Sequence, residues 1–274
     1  MEWISALREL HSSGQAAVLV TLVSTRGHSP RSAGAKMVVT AQRTWDSVGG
    51  GNLEATAIDH ARQMISSGTT APDSQEMALN EHAHTRHGTQ CCGGVVNMLF
   101  EPIAAPPTVA VFGLGHIGHE LADVLSRLEL NLHLADSRES FADSARFQKA
   151  SEGRAYVHLH YAPAPEAVLH DLPSDSHVLI MSHDHAEDLF LCEAALQRGD
   201  LGSVGVIGSA AKWTRFRKKL REAGYLDEQI DQIACPIGLP GMTGKSPAAI
   251  ALSVAASLVQ SFHDDDYQPH QELP

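Results

Sequence analysis

The sequence predicts a two-unit α/β chain: an N-terminal mixed α/β domain over residues 1–104, then a parallel-sheet domain over residues 105–274. Three observations carry this. The runs TVAVFGLG, NLHLAD, HVLIMS and SVGVIGS are short and apolar and alternate with helical segments, the pattern of a parallel sheet. GLGHIG, residues 113–118, follows the first of these runs and opens the helix pattern HIGHELADVLSRL, which makes the second domain Rossmann-type. AAPPT, residues 104–108, has two consecutive prolines and no apolar periodicity, so the boundary belongs there.

The elements follow in order. EWISALRELHSS reads as a short helix with neither a basic n-region nor an apolar h-region, so no signal peptide is expected. AAVLVTLVST and AKMVVTAQR are strand-like, and the loop SVGGG feeds the helical spacing of GGNLEATAIDHARQMISSG. In the second domain Gly113 would allow a tight turn, Gly115 close approach of a phosphate to the backbone, and Gly118 close helix packing. Asp136 closes the next strand near the offset of a ribose-binding acid, so a nucleotide at GLGHIG is a candidate ligand. The tail SFHDDDYQPHQELP is acidic and poor in apolar residues and is expected to fray.

Composition bounds the function. At 274 residues the chain is longer than one typical domain, and 43% hydrophobic against 19% charged residues is a globular balance. The net charge of −12 argues against a nucleic-acid surface, which needs clustered Lys and Arg. Nothing approaches a membrane span. Four cysteines, unevenly placed, form no disulfide framework, so a cytoplasmic protein with reduced thiols is expected. The 17 histidines are scattered, as surface or hydrogen-bonded core histidines usually are.

Several motifs point to chemistry. In STRGHSPRSAGAKM, residues 24–37, Arg26, His28, Arg31 and Lys36 gather on a turn-rich loop within an acidic chain, which suits anion capture. VGGGNLE, residues 48–54, places Gly50 and Gly51 before a helix whose amides could cradle an anion; a plain hairpin tip fits equally. QCCGG, residues 90–94, follows EHAHTRHGT. His82, His84, His87, Cys91 and Cys92 hold enough donors for zinc, yet adjacent cysteines suit one tetrahedral ion poorly, and no CxxC redox pair is present. A strained vicinal disulfide, a buried inert cysteine, and a soft thiolate beside Gly93 and Gly94 stay open. SHDHAED, residues 182–188, offers metal ligands or ordinary helix caps. GSAAKWTRFRKKL, residues 208–220, is the most basic patch; Ser209 and Lys212 could take a phosphate at a helix start, the patch could meet an acidic partner protein, and a solvated helix face fits equally. CPIGLPGMTGKSPAAIALSVAASLV ends in an Ala-rich helix read as core or dimer surface.

In that order SPRSAGAKM, VGGGNLE, QCCGGVVNMLFEP, VFGLGHIG, SHDHAED, GSAAKWTRFRKKL and CPIGLPGMTGKSPAAIALSVAA resemble the xanthine dehydrogenase accessory protein family (XdhC/CoxI), over about residues 15–260. The resemblance implies a maturation factor and not an enzyme. It would bind the molybdenum cofactor (Mo-molybdopterin), hold it while a cysteine desulfurase system replaces an oxo ligand by sulfide, and pass it to apo-xanthine dehydrogenase. Cys92, Gly93 and Gly94 fall on the family's CGG motif with Cys91 beside it, which makes Cys92 the expected thiol toward the metal. Arg31, Gly34, Gly50, Gly51 and Glu54 fall on the first two motifs. A homodimer is expected from the Ala-rich last helix. An NAD(P)-dependent oxidoreductase or a nucleotide-sensing module draws only on GLGHIG and Asp136, and the sequence offers no SxxxYxxxK-like dyad to complete the former.

Overall fold

A computed structural model of the chain describes residues 2–79, 93–242 and 244–263. The chain divides into two units, Met1–Pro106 and Pro107–Pro274. In the first, α1 (Glu2–Ser12) precedes β1 (Ala17–Arg26), β2 (Lys36–Val39) and β3 (Thr44–Asp46); α2 (Gly51–Ser66), β4 (Asp73–Ala78) and β5 (Val95–Ile103) follow. The strands form an antiparallel sheet in the order β3-β2-β1-β5-β4. Alternation along each strand decides what faces which helix. Val18, Val20 and Leu22 of β1 and Val96, Met98 and Phe100 of β5 pack in one cluster with Leu53, Ala57, Ala61 and Met64 of α2. Ala17 and Leu19 turn the other way, to Leu7 and Leu10 of α1. Leu22 pairs with Met98 and Ser24 with Asn97, so β1 bulges at the exposed Val23. A bulge bends its strand, and this one lies just before the loop over residues 27–34.

The second unit runs β6 (Thr108–Phe112), α3 (His116–Leu125), β7 (Asn131–Asp136), α4 (Gln148–Ser151), β8 (Tyr156–Tyr161), α5 (Pro165–Asp171) and β9 (His177–Ile180). It continues with α6 (His185–Arg198), β10 (Ser203–Val206), α7 (Ala210–Glu222), α8 (Asp227–Ile230), β11 (Ile233–Ala234) and α9 (Pro247–His263). All six strands are parallel in the order β11-β10-β9-β6-β7-β8. This is the Rossmann order, with its reversal between β6 and β9. Leu121, Ala122 and Leu125 of α3 and Ala251, Val254 and Leu258 of α9 cover one face. Leu169 of α5, Leu191 and Ala195 of α6, and Phe216 and Leu220 of α7 cover the other. The Ala-rich last helix therefore spends its buried face inside its own unit. No helix among the described residues is long and apolar enough to cross a membrane.

Candidate functional site

Three of the motif loops meet at one end of the first sheet. Arg26 ends β1 opposite Val95, the first residue of β5, so the loop that leaves β1 and the glycines that precede β5 are neighbours by register. Gly94 lies so close to that loop that a Cβ would sit 2.1 Å from the carbonyl oxygen of His28 and 2.9 Å from that of Arg26. A Cβ on Gly27 would in turn lie 3.1 Å from the Gly94 Cα. Backbone bonds hold the other side: the Gly93 N–H donates to the Leu79 carbonyl at 2.7 Å, and the Leu79 N–H to Gly94 at 2.8 Å. The loop before α2 joins from a third direction, since a Cβ on Gly49 would touch Pro30 at 3.5 Å.

The α2 start is built without a side-chain cap at Gly50. Instead the Ser47 hydroxyl donates to the Glu54 carboxylate, which also accepts from the Gly50 N–H at 3.2 Å. That carboxylate already offsets part of the positive end of the helix. Positive charge for an anion therefore rests with the exposed loop, where Arg31 makes no ion pair among the described residues, while Arg26 pairs with Glu76 at 2.9 Å. The Ser29 Oγ is buried in the same loop and has no hydrogen-bond partner among the described residues. Cys91 and Cys92, with His82, His84 and His87, lie outside the described residues; the chain joins Cys92 directly to Gly93.

In the second unit Gly113, Gly115, Gly118 and Asp136 share one corner. Gly113 has φ 107°, and a Cβ there would stand 2.3 Å from the Met181 carbonyl oxygen, at the β6/β9 reversal. Gly115 caps α3 and has open space where a side chain would be. Asp136 is buried and its carboxylate is fully engaged. It accepts from the Leu114 N–H at 2.7 Å and takes a two-pronged grip from Arg138, Nε at 2.9 Å and Nη2 at 2.8 Å. Burial alone would raise its pKa, but these hydrogen bonds outweigh it and hold the group below the usual carboxylate value. A ribose hydroxyl would have to displace one of them.

Lys212 has likewise found an internal partner. Its Nζ lies 2.5 Å from Asp188 Oδ2 and donates to the Ile207 carbonyl at 2.8 Å, with both side chains buried. Ser209 caps α7, accepting from the Lys212 N–H at 3.2 Å. Part of the basic patch is also spent internally: Arg217 reaches Asp231 at 2.6 Å, and just beyond the patch Arg221 reaches Asp227 at 2.6 Å, so this stretch fastens α8. Of SHDHAED, Asp184 caps α6 through the Ala186 N–H, and Asp188 is the partner of Lys212. No group of three metal-ligating side chains occurs among the described residues. Burial pushes the Cys192 thiol up to about 12 and raises that of Cys235 as well, so neither is a thiolate at neutral pH.

Fold and site together define a two-unit α/β class of protein, in which a smaller unit whose glycine loops converge is followed along the chain by a doubly wound Rossmann unit. Residues 109–258 match the XdhC Rossmann domain and residues 10–75 match the XdhC and CoxI family, and the chain belongs to that XdhC family. It is 27% identical over 271 residues to the molybdenum cofactor insertion chaperone PaoD of Escherichia coli K12, covering 90% of this chain and 83% of that protein. It is 23% identical over 247 residues to the E. coli K12 protein YqeB, covering 88% of this chain but only 43% of YqeB. A solved structure described as a xanthine dehydrogenase from Bacillus halodurans aligns at 18% identity and a TM-score of 0.48, over 99% of this chain and 98% of that one.

Proposed function

We propose that this chain carries the molybdenum cofactor as cargo and inserts it into an apo-molybdenum hydroxylase of the xanthine dehydrogenase kind, acting as a maturation chaperone and not as an oxidoreductase. The observation that carries the reading is the meeting of the loops over 27–34 and 47–51 with Gly93–Gly94 at one sheet end, which brings three separate motifs to one place. The residues there fit the cargo. A phosphate needs donors, and Arg31 on the exposed loop supplies a fork of them. A bulky pterin needs backbone without side chains in its way, which Gly93 supplies, with open space where its side chain would be. A soft metal needs a thiolate, and with Cys192 and Cys235 held protonated that role falls to Cys92, with Cys91 second.

The finer reading is that Cys92 faces the metal while a cysteine desulfurase delivers sulfide, in the cytoplasm, in service of purine catabolism, by a homodimer. PaoD's role as an insertion chaperone supports the coarser part of this. The oxidoreductase alternative has less behind it, because the acid it needs for a ribose is already bonded to Arg138 and Leu114. The test is Cys92→Ser in the full chain. It should fold as the parent does and lose at least tenfold in activation of the apo-hydroxylase; full activation and full cofactor retention would remove Cys92 from the site.

A further inference from the structure

The loop between β11 and α9 encloses a second site. A cavity of about 780 Å³ opens at the carboxyl ends of β10 and β11, with Ser209 and Gly208 on one wall and residues 236–242, Gly244 and Lys245 on the other. That volume lies within the roughly 300–1,000 Å³ of small-molecule sites. Ile237, Leu239 and Ile250 give it an apolar side large enough for a flat ring.

Its polar side is built for an anion. Ser253, 7% exposed, lines the cavity; its Oγ accepts from the Leu239 N–H at 2.8 Å, and its own O–H donates to no acceptor among the described residues. Gly238 fits over it only without a side chain, since a Cβ would stand 2.5 Å from that Oγ. Lys245 also lines the cavity and makes no ion pair among the described residues, in contrast to the buried Lys212. Two long helices, α7 and α9, begin at this cavity with no acidic residue in the first turn of either. An anion in the cavity would meet this exposed ammonium and both positive helix ends. The sequence here, GLPGMTGKS over residues 238–246, runs from a strand into a helix, as a phosphate-binding GxxxxGK[ST] loop does, with one additional residue before its GKS.

We infer that this cavity binds a phosphate ester of a flat heterocycle, with Lys245, Ser253 and the loop amides on the phosphate and the apolar wall on the ring. A nucleotide and the pterin of the cofactor share that chemistry, and the inference stands whether or not the chain carries the pterin. The test uses the full chain, titrated calorimetrically with ADP, and measures pterin content after co-expression with the cofactor pathway. Lys245→Ala should weaken ADP binding at least tenfold, with Lys245→Arg restoring it. Such a loss with pterin content intact assigns the cavity to a nucleotide; a loss of pterin in Lys245→Ala assigns it to the cofactor's own phosphate. The inference is overturned if Lys245→Ala alters neither ADP affinity nor pterin content.

Discussion

Gly94 and Gly50 separate two reasons for a glycine. Alanine at Gly94 would drive its Cβ into the His28 carbonyl, which backbone cannot yield cheaply, so the first unit should lose about 3 kcal/mol or more. Alanine at Gly50 meets open space and is strained only by its backbone, φ 75° and ψ 174°, about 1–3 kcal/mol. Urea unfolding of the two variants should show that order, and equal losses would deny the close packing of the loops. At Lys212 the same technique tests a buried charge. Lys212→Met strands Asp188 and should cost about 3–5 kcal/mol, and adding Asp188→Leu should recover most of it. A double variant no more stable than the single one would mean the pair is not coupled. These roles were only partly legible. The motifs marked Gly94 and Lys212 as special, yet the carbonyl facing Gly94 and the carboxylate facing Lys212, 24 residues away, are partners that only the fold supplies.

At the scale of elements, the four strands β6, β7, β9 and β10 were readable because parallel strands buried on both faces are continuous apolar runs. YVHLHY, which forms β8, was not, since its histidines break the run. In the structure Val157 and Leu159 pack into the core beside α3, while His158 and His160 turn to the other face. There His133 stacks on His158 at 4.6 Å and on His160 at 5.2 Å between ring centroids. Burial, then the two neighbouring histidines, lower the His133 pKa from 6.5 to about 3. The folded state therefore resists a proton that the unfolded chain accepts, so the stability this group contributes is present above pH 6.5 and is lost progressively as pH falls toward 3. The slope is at most about 1.4 kcal/mol per pH unit. His133→Leu should flatten the decline in unfolding midpoint between pH 6.5 and pH 4.5, and an unchanged slope would place the titration elsewhere. β4 and β5 escaped notice for another reason: β5 pairs with β4 and, at long range, with β1, and DSQEMA carries no apolar alternation strong enough to announce a strand.

Across the whole molecule the chemistry divides between the two units. The converging loops and the Cys92 position lie in the first, while the nucleotide-type corner at Asp136 is closed by Arg138 and the Lys245 cavity lies in the second. The two-unit plan was legible from the alternation of apolar runs and the AAPPT break; the meeting of the three N-terminal motifs was not, because β5 had to be seen beside β1 first. The central claim is that the chain carries a pterin-bound molybdenum at those loops. The direct measurement is the molybdenum and pterin content of the full chain, purified anaerobically after co-expression with the cofactor pathway, beside the Cys92→Ser variant. Near-stoichiometric pterin and molybdenum in the parent, with a marked loss in the variant, is the predicted result; parent protein free of both, under conditions that load a molybdenum hydroxylase, would contradict it.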